Sequence, residues 1–415
     1  MSTENEIPFG INPDDDIVAT NKPKIKRIRL IIVSATLLVL SVGYISVLAS
    51  SFSVEDKKEG KKEEIPEEKP NEKPKDNCIN CIKAYYLCWY YETCKFYNDK
   101  TINHTLSISS MKVDGKPYPI ISYYKFNTTK GRLPVIFEFN EKVKNMSYFF
   151  FSTSVTEVDF TNFDSSEMID INHLFSNSKI NTITWGPRFS TSKVVRMDSL
   201  FSSIGPLEVD LSQLNTSKTT NFSCMFEHAT LESEIINLTS FDTSNAIDLS
   251  GMFRSSTFKS INVSSFNTSK VKLMNETFGD CMWLQTIDLS VFDTSKVTNM
   301  SNMFTDCSTL VSIEQHFTSE SLTSAIKMFF GCRQLKKIDL SGFVGEVLTN
   351  IDSMFKFCYS SIIIDLRNFV CEKCNGAGNL FDSSGKGTLI YNSSKINPTI
   401  IIHFPSRWHR TDVSG

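Results

Sequence analysis

The sequence predicts an α/β repeat solenoid of about nine coils of 25–27 residues, with one transmembrane helix near the N-terminus. Three observations carry this reading. Phenylalanine recurs through most of the chain at a fixed interval, a second apolar column keeps the same interval, and one uncharged run is long enough to cross a bilayer.

In chain order, residues 1–27 read as a cytosolic tail and 28–50 as a signal-anchor. Leu30 to Ala49 carries no charge, and a helix of that length covers the roughly 30 Å hydrocarbon core. Lys22, Lys24, Lys26, Arg27 and Arg29 precede it, and the run opening at Glu55-Asp56 follows. The positive-inside bias then places the bulk of the chain outside, as a single-pass type II protein of the cell membrane. The alternative is secretion after cleavage near Ala49, because Val47-Leu48-Ala49 has small-residue cleavage character. Either route exports everything after Ser50.

Residues 51–77 are charged, Pro-bearing and nearly free of apolar side chains. They cannot bury enough surface to offset ordering entropy, so they read as a disordered stalk. Residues 78–134 read as a Cys-rich segment and N-terminal cap. Exported Cys78, Cys81, Cys88 and Cys94 suggest two disulfides, whose pairing stays open among three possibilities. Zinc is the alternative suggested by Cys78-x-x-Cys81. The looser Cys88–Cys94 spacing and oxidising surroundings count against it.

The solenoid is expected over residues 135–375. Its first column is Phe150, Phe175, Phe201, Phe226, Phe253, Phe278, Phe304, Phe329 and Phe355, at intervals of 25 to 27. The second is Phe163, Phe189, Leu214, Phe241, Phe266, Phe292, Phe317, Phe343 and Phe369. One unit, from Phe278 to Phe304, shows the logic. Ile287 and Leu289 alternate with Asp288 and Ser290, the period of a strand with one buried face. Asp293-Thr294-Ser295 supplies turn residues that bond their own backbone. Val297, Met300 and Met303-Phe304 fall at helical spacing and predict a short helical turn on the opposite wall. Such a unit has no core of its own; stacking buries its apolar columns. With strands about 4.8 Å apart, nine coils make a body on the order of 40 Å long, with a phenylalanine spine.

Residues 376–415 are expected to form a C-terminal cap, since Lys395–Arg410 fits no repeat. Cys371 and Cys374 sit at its start, and a disulfide closing the solenoid end suits them better than a redox dithiol.

These units resemble the BspA-type leucine-rich-repeat surface proteins, in the 25-residue variant of mycoplasma lipoproteins and parasitic protist surface proteins. IDLSVFDTSKVTNMSNMFTDCSTL at 287–310 carries the match, with weaker copies at 240–256 and 264–290. The resemblance implies a right-handed, leucine-rich-repeat-like solenoid at the cell surface, used for adhesion or recognition. It brings no catalytic residues.

The net charge of -3 argues against nucleic acid as a partner. The scattered histidines, and the lack of any nucleophile–base arrangement or phosphate loop, predict a protein that is not an enzyme and carries no cofactor or metal. Cys281, Cys307, Cys332 and Cys358 share one column. Their parallel projection suits a ladder of buried thiols, not ligands converging on a metal. The outward-facing polar strand column is the expected surface for an extracellular protein or glycan ligand, with Asp210, Asp288, Ser290, Asp339, Ser341 and Asp365 as candidate binding residues. Glycosylation sequons stand at Asn103, Asn127, Asn145, Asn215, Asn221, Asn267, Asn275, Asn299 and Asn392, and also at Asn237 and Asn262 on that same face. A self-associating structural coat is the alternative to a recognition protein.

Overall fold

The structure is a computed structural model. It describes residues 78–414, apart from 89–92, 99–107, 126–130, 232, 319, 345, 360, 375–376 and 378. The expected tail, anchor and stalk lie outside the described residues. Among the described residues, no helix is long and apolar enough to cross a membrane.

The chain enters through an antiparallel cap. β1 (Cys81–Leu87) lies between β6 (Arg132–Phe139) and β7 (Val155–Asp159), antiparallel to both. Outside β6 come β3 (Ile108–Val113) and β4 (Lys116–Tyr118). A separate pair joins β2 (Thr93–Lys95) to β5 (Tyr123–Lys125). Because β7 is the first strand of the stack, β1 covers an edge that would otherwise offer its backbone groups to any passing strand.

From β7 onward every described strand pair is parallel. β7 pairs with β8 (Thr182–Thr184), and β9 (Pro206–Leu207) with β10 (Thr230–Leu231). β11 (Ile235–Asn237) pairs with β12 (Ser260–Asn262), and β13 (Thr286–Leu289) with β14 (Ser312–Gln315). β15 (Lys337–Asp339), β16 (Ile362–Leu366), β17 (Gly387–Tyr391) and β18 (His409–Asp412) form one sheet in that order. Like meets like in register: Ile287 stands opposite Ile313, and Asp339 opposite Asp365. The expected alternation holds, with Ile287 and Leu289 buried while Thr286 and Asp288 are exposed.

The helical wall is the correction. The described coils form a β-solenoid with almost no helix, where the sequence predicted an α/β unit. Met300, Met303 and Phe304 are buried as their spacing requires. Their backbone, however, is a run of turns whose N–H groups alternate in direction. Those of Met300, Asn302 and Phe304 donate to Ser324, Ile326 and Met328 of the next coil at 2.8–3.0 Å, whereas those of Met303 and Thr305 bond locally. Asn302 and Asp306 take left-handed φ values of 58° and 51°, a pair that recurs four residues apart through the coils, as at Tyr148 and Ser152. The reason is width. A helix with side chains is about 10–12 Å across, whereas stacked strands advance about 4.8 Å per coil. A wall that keeps pace with the strands must be one chain thick. Spacings of three and four residues bury the same side chains in either geometry, so the pattern alone did not separate them. Among the described residues the α-helix is confined to the four residues Pro398–Ile401.

The phenylalanine spine is present. From Phe150 to Phe355, and on to Phe381, adjacent rings stack with centroids 5.2–6.0 Å apart and planes within 19°. Ten coils contribute a ring. The coil path continues beyond residue 375: β17 and β18 extend the sheet, and buried Trp408 donates its Nε1–H to the Gly385 carbonyl at 2.8 Å. Lys395–Arg410 follows the repeat's course without its sequence.

Candidate ligand-binding face

At or just past the end of several strands an Asp or Asn turns its side chain onto the backbone two residues ahead. Oδ1 of Asp288 accepts the Ser290 N–H at 2.9 Å, Asp210 that of Ser212 at 3.0 Å and Asp339 that of Ser341 at 3.0 Å. Asn237 and Asn262 do the same to Thr239 and Ser264. The Ser290 hydrogen bonds hold the Asp288 carboxyl below the usual carboxylate range, and those of Ser212 and Gln213 do so for Asp210. In Asp288 and Asp339 one oxygen caps the corner, whereas in Asp210 the second oxygen also accepts the Gln213 Nε2–H at 3.1 Å.

The candidate residues fall into different settings. Asp339 and Ser341 line a groove of about 440 Å³ between β14 and β15, together with Glu314, Gln315, His316 and Lys337. Here Gln315 stands where Leu289 fills the core one coil earlier, and its Nε2–H donates to the Asp339 carbonyl. A polar side chain at a core position interrupts the strand ladder, and the wall opens there. Asp210 lines a second groove of about 440 Å³, with Ser212, Asn237 and Thr239. Asp288 and Ser290 lie exposed on the wall between the two grooves. Asp365 differs from the rest. It is 4% exposed and gripped by the Arg367 guanidinium at 2.6–3.0 Å, so its carboxylate is spent within the fold.

The Asp-Thr-Ser corner does more than the sequence suggested. Its Asp or Asn caps the Ser N–H, as Asp242 does for Ser244 at 2.9 Å. Its Thr is buried and ties coil to coil. Thr216, Thr243, Thr268 and Thr294 each donate a hydroxyl to a carbonyl of the next coil at 2.8–3.1 Å. The signal that could have revealed this was the fixed Thr at the middle position, where a turn alone would accept any small polar residue.

The cysteine column forms a ladder. Cys281, Cys307, Cys332 and Cys358 are fully buried, and each thiol donates to a phenylalanine carbonyl of the preceding coil at 2.9–3.3 Å. Burial pushes the Cys281 and Cys358 thiols up to about 12 and raises Cys307 and Cys332 well above the usual thiol value. These thiols stay protonated, which suits neither a nucleophile nor a metal ligand. Six further cysteines pair as neighbours in disulfides, Cys78–Cys81, Cys88–Cys94 and Cys371–Cys374, with Cα atoms 5.4–6.0 Å apart, and Cys224 is free and half-buried.

Among the sequons, Asn215 and Asn267 are exposed at the Asp-Thr-Ser corner, as are Asn237 and Asn262 on the strand wall. Asn145, Asn221, Asn275, Asn299 and Asn392 are half-buried, and Asn103 and Asn127 lie outside the described residues. Asn145, Asn221 and Asn299 use Oδ1 to cap the N–H two residues on.

Stacked parallel coils, an aromatic spine and capped polar corners define a β-solenoid repeat protein. The repeat family described as Mycoplasma protein of unknown function, DUF285, matches residues 144–237, 181–287, 230–343 and 284–388 in overlapping stretches. The chain belongs to that family. No curated protein and no solved structure matches it.

Proposed function

We propose that this chain is a cell-surface recognition protein that holds an extracellular protein or glycan against the polar strand wall of its solenoid. In this reading residues 28–50 anchor it as a single-pass type II protein, the repeats are of the BspA type, and the chain performs no catalysis and needs no cofactor. The β14–β15 groove carries the proposal. It gathers Glu314, Asp339 and Ser341 beside His316 and Lys337, and mixed donors and acceptors around a shallow cleft suit a polar ligand. Cells displaying the full chain should adhere to matrix proteins or to other cells. Glu314→Gln combined with Ser341→Ala should weaken adhesion by about tenfold with the fold intact. Unchanged adhesion in the folded double variant would remove the groove from the function.

One observation favours self-association as a second reading. Among the described residues β18 has a strand neighbour on one side only, and all four of its residues are exposed. Sedimentation of the purified chain separates the two: concentration-dependent oligomers without heterologous adhesion would favour a coat.

A further inference from the structure

The second groove differs from the first in both construction and charge. In the coil that begins at Phe226, two short strands serve its two neighbours. β10 pairs back to β9 and β11 pairs forward to β12, and the chain between them carries Ser233 and Glu234. Neither ladder continues into the other, so among the described residues β11 has a strand partner on one side only. The groove opens on its other side. Its floor is apolar because Val209 and Leu231, packed against the core, are left half-exposed there, and Ile235 at the rim is 59% exposed. Glu208 and Asp210 stand two residues apart on the facing coil, about 7 Å on extended backbone. No lysine, arginine or histidine is among the groove's described lining residues. Lys259, close by, is paired with Glu234 at 2.7 Å. The hydrogen bonds from Ser212 and Gln213 keep Asp210 ionised.

We infer that this groove binds an extended basic peptide segment in which lysine or arginine alternates with aliphatic residues. The period of a strand puts alternate side chains on opposite faces. One face of such a peptide meets Val209, Leu231 and Ile235, while its cations stand at the spacing of Glu208 and Asp210. Its backbone lies along this edge of β11, displacing the Ser233 hydroxyl that now bonds the Ile235 N–H and C=O at 3.2 and 2.9 Å, the mode by which sheets take up extended peptides. Charge complementarity selects the occupant. An acidic or neutral glycan would leave two carboxylates facing no counter-charge, and a polyamine would leave the apolar floor uncovered. The site is separate from the β14–β15 groove, so either can fail without the other.

The test uses the full chain with a fluorescent peptide of alternating Lys and Leu as probe. Alternating Glu and Leu, and spermine, are the comparisons. The Lys–Leu peptide should bind saturably, more weakly as salt is raised, and more tightly than either comparison. Glu208→Gln with Asp210→Asn should weaken it about tenfold, and Ile235→Ser should weaken it at unchanged salt dependence. Asp210→Asn keeps the side-chain oxygen that caps the Ser212 N–H, so the fold is retained. Lys296→Ala, at an exposed corner that lines neither groove, should leave binding unchanged. Equal binding of the Glu–Leu peptide or of spermine, or indifference to the carboxylate pair, would overturn the assignment.

Discussion

Thr243 is 1% exposed, and its hydroxyl donates to the Asn267 carbonyl at 3.1 Å while accepting the Asn267 N–H at 2.8 Å. Valine matches its shape and can do neither. Thr243→Val should therefore cost about 1–3 kcal/mol, the penalty for stranding buried polar partners, and the urea midpoint of the purified chain measures it. Thr243→Ser should recover much of the loss. Cysteine chemistry is decided at the same scale. The buried ladder should resist thiolate-directed alkylation in the folded chain and react only on unfolding. Its alkaline behaviour follows by linkage. Unfolded thiols ionise near pH 9, whereas Cys281 and Cys358 hold their protons to about 12. Above pH 9 the unfolded state binds fewer protons than the folded one, so stability falls as pH rises. Urea midpoints between about pH 8 and 10.5 should show that decline, and a flat profile would contradict the ladder.

The element that recurs is a coil with one strand, two capped corners and a turn wall, and its cohesion is the ring stack. Phe278 lies 5.5 Å from Phe253 and 5.4 Å from Phe304. Phe278→Ala removes both contacts and leaves a cavity between coils that cannot close independently. The expected loss is about 3–5 kcal/mol, read from denaturant unfolding. Backbone approach between coils is equally tight at Gly342, where an added Cβ would sit 2.1 Å from the Phe317 carbonyl oxygen. Gly342→Ala has to push the coils apart, at about 1–3 kcal/mol. Since Gly342 and Phe317 both line the β14–β15 groove, that substitution should also alter adhesion, while Phe278→Ala should act on stability alone.

The two described ends of the stack are finished differently, and this shapes the response of the whole molecule to acid. The first strand of the stack is covered by antiparallel β1, while β18 ends the sheet. Asp412 secures that last strand by accepting the N–H groups of Ser393 and Ser414 at 3.1 and 3.0 Å. These bonds, with that to Ser393 foremost, lower its carboxyl to about 2 from an ordinary 3.8. A depressed folded value means its contribution is complete above the unfolded pKa and is lost as pH falls through the folded one. Fraying of the C-terminal coil should begin below about pH 4 and be complete near pH 2. Hydrogen exchange at β17 and β18, compared with β13 and β14, measures it. Uniform exchange across all coils under acid would refute this order.

The sequence by itself determined the coil repeat, the strand face, the phenylalanine spine, the thiol ladder and the cysteines able to pair, because each depends on residue type at a fixed interval. Buried positions in a stack are chemically uniform from coil to coil, and uniformity is what a sequence displays. Tertiary structure alone decided the turn wall, the continuation through β17 and β18, and the openings beside β11 and β14. A helix and a train of turns bury the same spacing of side chains, so only the hydrogen bonds to the next coil distinguish them. Asp365 and Asp288 occupy the same column, but Arg367 stands where Ser290 does, and its guanidinium folds back on the first carboxylate while the second stays exposed. A groove exists where neighbouring coils fail to pair, and that is a relation between two coils which neither coil's residues express alone.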